Sequence, residues 1–267
     1  MTRDNTGDGK IDVDDLEWKY LQGDGDFKSD EIKKLRDEAD FIITNPPFSV
    51  FRDFLEWVTE SDKLFVIIGN KSCVTYKEVF PLIKENKIWS GRTEWSGGMW
   101  FETKNQDDVD KVIDGINMKN VPSIWLTKID HGRRHQPLKL MTMEENLRFN
   151  KKLKEKDSYD HYDNYDVLEV SFTDTIPSDY CGVMGVPISF LDKYSPEQFE
   201  IVGMCENEDL YKLKTKVYTT AECKYAYFEK FGKKGTYDLN ASGVVVRNGL
   251  REKVYQRVLI KHKKETL

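Results

Sequence analysis

Residues 45–48, Asn-Pro-Pro-Phe, put an amide, two donor-free backbone positions and an aromatic face into one tetrapeptide. A proline has no backbone N–H and holds φ near about −65°. The residue before a proline is pushed out of the helical region, so Asn45 is expected to be extended and no helix to begin before Pro47. With no local donors to serve, the carbonyls of Asn45 and Pro46 and the Asn45 amide oxygen can point together as acceptors. Phe48 offers a flat face beside them. Acceptors next to a ring suit a planar amine, held by its hydrogens and stacked on its face. Such an amine is a poor nucleophile because its lone pair is delocalised. Two acceptors on its hydrogens favour a pyramidal nitrogen and free the lone pair, with no general base needed before attack.

Other residues carry weaker signals. Asp4, Thr6, Asp8, Gly9, Asp12 and Asp15 follow the spacing of an EF-hand calcium loop. The last ligand is Asp rather than Glu and no helix precedes, so the segment reads as an acidic connector and no metal is assigned. His131 and His135 stand four apart, but Gly132 and Pro137 argue against a helix and no third ligand is evident. With Arg133 and Arg134 between them, the segment reads as a loop touching phosphate or as a solvated basic turn. "WSGGMWF" lacks dinucleotide-loop spacing and reads as a hairpin or bulge.

The elements that position these groups follow from periodicity. "EIKKLRDE" reads as a polar helix, "DFIITN" as a buried strand, and "SVFRDFLEWVTE" as an amphipathic helix capped by Ser49. "KLFVIIGN" is a second apolar strand. "TYKEVFPLIKEN" is a helix that Pro81 kinks or ends, and "KIWSG", "GGMWFET" and "SIWLTKI" are further strands. Alternating strands and helices imply a mostly parallel sheet with its active crevice at the strands' carboxyl ends. Asn45 and Asn70 both fall at such ends; Asn70 and Lys71 either line the crevice or cap the strand. From about residue 145 the pattern changes. "NKKLKEKDSYDHYDNYD" reads as a linker or surface segment, and the C-terminal stretch reads as a hairpin turning at Asn248-Gly249.

The chain is 39% hydrophobic and 33% charged, with no apolar run of membrane-spanning length. Its first ten residues do not read as a secretory signal. Cys73, Cys181, Cys205 and Cys223 are far apart, as expected of buried thiols in a reducing cytoplasm. Net charge is −6, unevenly spread: residues 1–60 hold 8 Lys+Arg against 16 Asp+Glu, and residues 211–267 hold 14 against 5. Such a basic C-terminal segment is either a solvated Lys-rich surface or an arm that meets a polyanion, with Lys233, Lys234, Arg247 and Arg251 as its phosphate contacts.

The Asn-Pro-Pro-Phe motif resembles that of class I amino-methyltransferases. The surrounding text, from "LQGDGDFKSDE" through "HGRRHQPLKL" and "GVMGVPISFLDKYSPEQFEIVG" to the basic terminal hairpin, looks like the EcoRI-type adenine-specific DNA methylase family. Cys181 departs from it, standing where an acidic residue is expected. The resemblance implies a Rossmann-like domain over residues 1–145 and an α+β DNA-recognition region over residues 146–267. It implies methyl transfer from S-adenosylmethionine to the N6 amine of adenine in double-stranded DNA, with Asn45, Pro46, Pro47 and Phe48 catalytic. Asp26 would accept from the cofactor's adenine amine and Phe27 would stack on that ring; without the family, Asp26 reads as an Asp-Gly turn. Methylation of RNA or of a protein glutamine, and a silent DNA-binding remnant, are the alternatives.

Only 25 residues precede Asp26, and none makes the apolar strand and Gly-rich turn that such a domain needs for the methionine end of its cofactor. The expectation is a domain lacking its N-terminal cofactor part. It would expose an edge or face of its sheet, bind cofactor weakly or not at all alone, and have a separate N-terminal fragment as a partner.

Overall fold

The computed structural model describes residues 5–15 and 20–263. Ser29 caps α1 (Asp30–Glu38) by accepting from the Ile32 amide. The chain then runs through β1 (Phe41–Thr44) and the proline segment, makes one 3-10 turn at Phe48–Val50 and winds into α2 (Phe51–Thr59). α2 buries Phe51, Phe54, Leu55, Trp57 and Val58, the spacing of a single apolar stripe. Ser49 lies inside the 3-10 turn and does not cap α2, because helical geometry starts only after Val50. β2 (Leu64–Asn70) leads to α3 (Phe80–Lys84) and β3 (Trp89–Ser90). Pro81 sits in the first turn of α3, where its missing N–H costs nothing, so it starts the helix rather than kinking it.

A three-stranded antiparallel sheet follows, of β4 (Met99–Glu102), β5 (Lys111–Ile113) and β6 (Ile116–Val121) in the order β4-β6-β5. Asp114 and Gly115, both at positive φ, form its tight turn. From β6 the chain crosses Pro122 into β7 (Ser123–Thr127), which inserts between β2 and β3 to give the order β1-β2-β7-β3. The expectation of a mostly parallel sheet needs correction. β1 pairs with β2 in parallel, but β7 is antiparallel to both β2 and β3. β1, β2 and β3 still run in one direction. β7 returns from the three-stranded excursion without a helical crossover, and so enters reversed. β1 is an edge strand rather than a buried one, with Phe41 56% and Ile43 71% exposed.

The second half begins with α4 (Met143–Phe149), which spans residue 145. β8 (Leu168–Glu169), β9 (Met184–Pro187) and β10 (Phe199–Met204) precede α5 (Thr220–Phe231). β11 (Val244–Arg247) and β12 (Leu250–Lys253) form the hairpin at Asn248-Gly249, whose positive φ values of 52° and 78° suit that dipeptide. β13 (Arg257–His262) then pairs between β10 and β9, with β8 at the far edge. The Tyr-rich segment is not a surface linker. Tyr159, Tyr162 and Tyr165 are buried, and Tyr162 and Tyr165 make isolated bridges to Val245 and Lys214. Each ring packs apolar while its hydroxyl finds a partner: Tyr159 donates to the Thr175 carbonyl at 2.7 Å, and Tyr162 donates to Glu169. Glu169 is almost wholly buried and pairs with Arg257 at 2.8 Å.

One apolar cluster runs through both halves. It joins Phe51, Phe65 and Leu126 of the first sheet's layer to Phe190, Phe199 and Ile260 of the second. Cys73, Cys205 and Cys223 are buried, but Cys181 is exposed, so the expectation of four buried thiols is corrected there: Cys181 lies in the loop between Tyr180 and Gly182, ahead of β9, and not in an element of the core. Burial pushes the Cys73 thiol up to about 12. Among the described residues no helix is long and apolar enough to cross a membrane.

Candidate active site

Asn45 continues β1 at its carboxyl end and is exposed, while Pro46 is buried and anchors the segment. Pro47 is extended (φ −56°, ψ 130°), and its carbonyl accepts from the Val50 amide at 3.1 Å. Among the described residues the carbonyls of Asn45 and Pro46 and the Asn45 side chain have no hydrogen-bond partner. Phe48 is 45% exposed. These four residues line one cavity of about 430 Å³ together with Ile68, Phe101, Val121 and Ser123. Local proline geometry thus turns the acceptors away from the chain, and the sheet places them at the ends of its like-directed strands.

Three of the other lining residues come from a part of the chain that periodicity did not connect to the motif. Phe101 lies on β4, Val121 ends β6 and Ser123 begins β7. Ser123 is buried, and among the described residues its hydroxyl oxygen has no hydrogen-bond partner. Only the insertion of β7 beside β2 brings these residues to the pocket, with Ser123 in register opposite Asn70. Asn70 itself caps the 3-10 turn after β2, accepting from the Ser72 amide at 3.0 Å. The Lys71 amide donates to the Pro122 carbonyl at 2.7 Å and its ammonium to the Trp95 carbonyl, which ties the turn to the excursion. Behind the motif, Gly69 lets β2 approach α2: a Cβ there would meet the Phe51 ring at 2.8 Å and the Cys73 sulfur at 3.1 Å.

Asp26 and Phe27 sit side by side in the loop before α1. The Asp26 side chain accepts from the Lys28 amide at 2.9 Å and is exposed. Phe27 is half-buried and packs edge-on against Phe54 at 5.3 Å and Trp57 at 5.6 Å between ring centres. Lys28 pairs with Asp53 of α2 at 2.6 Å, closing the loop onto the same helix.

The basic residues divide into two groups. Arg133 pairs with Asp192 at 2.9 Å. Arg134 lies over the Trp89 ring at 3.7 Å and donates to Asn86 at 3.1 Å. Both are largely covered, engaged between the two sheets. Arg247 pairs with Asp160 at 2.7 Å and Glu252 at 3.2 Å, and Arg251 lies 3.9 Å from Asp163. Lys233 and Lys234 are exposed, and no described ion pair includes them. His131 Nε2 lies 2.8 Å from the Ser90 carbonyl, whereas both ring nitrogens of His135 donate to carboxylates, Asp130 at 2.8 Å and Glu197 at 2.7 Å. Those carboxylates push the His135 pKa above its usual value. Among the described residues no three His, Cys, Asp or Glu side chains converge as a metal site; of the acidic loop, Asp4 lies outside them.

No solved structure matches the chain. Three curated relatives do. The Type II methyltransferase M.EcoRI of Escherichia coli is 41% identical over 211 residues, which are 75% of this chain and 61% of the relative. M.MpnI of Mycoplasma pneumoniae is 34% identical over 209 residues (74% and 62%), and M.MgeORF184P of Mycoplasma genitalium is 31% identical over 256 (90% and 70%). The chain therefore spans about six tenths of the length of the first two. The family model described as adenine-specific methyltransferase EcoRI matches residues 1–263, so nearly the whole chain, the Asn-Pro-Pro-Phe pocket included, belongs to that family.

Proposed function

We propose that this chain takes part in methyl transfer from S-adenosylmethionine to the N6 amine of adenine in double-stranded DNA. One observation carries this reading: in a chain of this family, free acceptors of Asn45 and Pro46 and the exposed ring of Phe48 share one cavity at the strand ends. The Asn45 amide oxygen and the Pro46 carbonyl accept the two amine hydrogens. Phe48 stacks on the base, contributing on the order of 1–3 kcal/mol against the cost of drawing it from the duplex. Phe101 adds a second aromatic wall. The unpartnered Ser123 hydroxyl is left to hydrogen-bond a ring nitrogen of the base. After attack the nitrogen loses its surplus proton to solvent.

The residues before α1 fit the adenosine end of the cofactor. The exposed Asp26 carboxylate accepts from an amine, and Phe27 is held in a fixed plane by Phe54 and Trp57. When bound, the cofactor supplies an electrophilic methyl group. Three like-directed strands alternating with α2 and α3 support a Rossmann-like arrangement for residues 1–145. Residues 146–267 are read as the DNA-recognition region. The exposed edge at Phe41 and Ile43 fits a partner segment that extends the sheet with further strands. The setting that suits these roles is the cytoplasm.

Mapping modified bases in DNA from cells that express the chain tests this reading, beside methyl-transfer assays on duplex DNA, RNA and protein. N6-methyladenine within a short DNA sequence is the expected result. Transfer to RNA or protein alone overturns it, and so does DNA binding with no modified base.

A further inference from the structure

We infer that the outer face of α5, with the turn that follows, seats a nucleic-acid strand carrying at least one unstacked base. The kind of polymer is taken from the reading above; the place comes from the helix itself. α5 buries Cys223 and Ala226, and Thr219 and Glu222 cap its first turn reciprocally. At about 100° per residue, Lys224, Tyr225 and Phe228 fall on the opposite face. Tyr225 and Phe228 are 58% and 56% exposed, although burial of either ring would stabilise the fold. Gly232 ends the helix at φ 65° and turns the chain back. Gly235 then presses on Tyr227 so closely that a Cβ would meet its ring at 2.2 Å, which holds Lys233 and Lys234 beside the helix. Lys224, Phe228, Lys234, Gly235 and Thr236 line a concave surface of about 500 Å³.

Charge marks the occupant. The cations of the neighbouring hairpin are neutralised within the protein, Arg247 by Asp160 and Glu252. Lys230, on the flank of α5, pairs with Glu252 at 3.0 Å. Lys224, Lys233 and Lys234 enter no ion pair among the described residues. Glu229, one residue along from Phe228, is engaged by the Tyr225 hydroxyl. Unspent positive charge therefore surrounds an exposed phenyl ring. Phosphates meet the lysines and a base meets Phe228, the pairing of charge and stacking that single strands select.

Fluorescence anisotropy of the full chain with a labelled single-stranded oligonucleotide, and with its duplex, over a salt series, tests the seat. Replacing Lys224, Lys233 and Lys234 together by Ala should weaken binding and flatten the plot of log affinity against log salt by about 0.7 per lysine in contact. Phe228→Ala should weaken binding about ten-fold and leave the slope unchanged. Heat-denaturation midpoints equal to the parent's would show that both variants fold. Parental affinity and slope in both variants overturn the seat. If the parent binds duplex but not single strand, the seat falls alone. If it binds neither, the DNA reading falls with it.

Discussion

Asn45 owes its role to its neighbours. Proline on its carboxyl side keeps it extended, so its amide and carbonyl leave the strand unspent. Asn45→Ala removes one acceptor without touching the buried Pro46. Methyl transfer should drop on the order of a hundred-fold, as when one preorganised polar group is lost from an active site. Equilibrium DNA binding should stay near parental. Retention of transfer within a few-fold would overturn the assignment. Ser123 makes a sharper case, because its buried hydroxyl has no hydrogen-bond partner among the described residues. Ser123→Ala should leave folding stability unchanged or slightly raised, yet cut transfer about ten-fold, the worth of one hydrogen bond. Substrates in which a ring nitrogen of adenine is replaced by C–H give the check: with the nitrogen that Ser123 serves removed, parent and variant should transfer equally. A residue with only a structural role would lose stability and show no such convergence.

At the scale of elements, β2 and α2 form the platform under the pocket, and Gly69 sets their separation. Gly69→Ala drives a methyl group into the Phe51 ring, itself 3% exposed and without room to retreat. Overpacking of this kind costs about 1–3 kcal/mol. The urea midpoint should fall accordingly, and transfer should fall with it, since α2 begins three residues after Phe48. Much of this platform was legible in the sequence. The prolines fix their own backbone, and the apolar runs of β2 and α2 declare their periods. What escaped had two causes. Some signals were local but unread: Asp114-Gly115 announces the β5–β6 turn, and Thr219 with Glu222 announces α5. Others were never local. The reversed entry of β7 is a tertiary choice, and with it comes the meeting of Phe101 and Ser123 with Asn45. The buried tyrosines lay between, since a ring with a polar tip suits surface and core alike.

At the scale of the molecule, the two sheets are clasped as well as packed. His135 bridges Asp130, just after β7, and Glu197, just before β10, with Arg134 alongside Asp130 at 3.7 Å. Donation from both ring nitrogens requires the imidazolium, so the folded protein holds this proton more tightly than the unfolded chain does. The clasp's contribution is then complete below about pH 6.5 and is lost as pH rises through the raised folded value. The heat-denaturation midpoint should decline over that interval, and His135→Gln should flatten the decline. An unchanged profile would show that the clasp does not couple protonation to folding.

The shared apolar cluster has a consequence for how such a protein diversifies. Proteins whose reading and reacting parts have separate interiors can trade one part by recombination. Here Phe190, Phe199 and Ile260 complete the same interior as Phe51, Phe65 and Leu126. A crossover near residue 145 would bring together half-interiors with no history of fitting one another, and most hybrids would be lost before selection could act on any new property of their surfaces. Change in such a chain is therefore easier by substitution at exposed positions, one side chain at a time, while the interior is inherited whole.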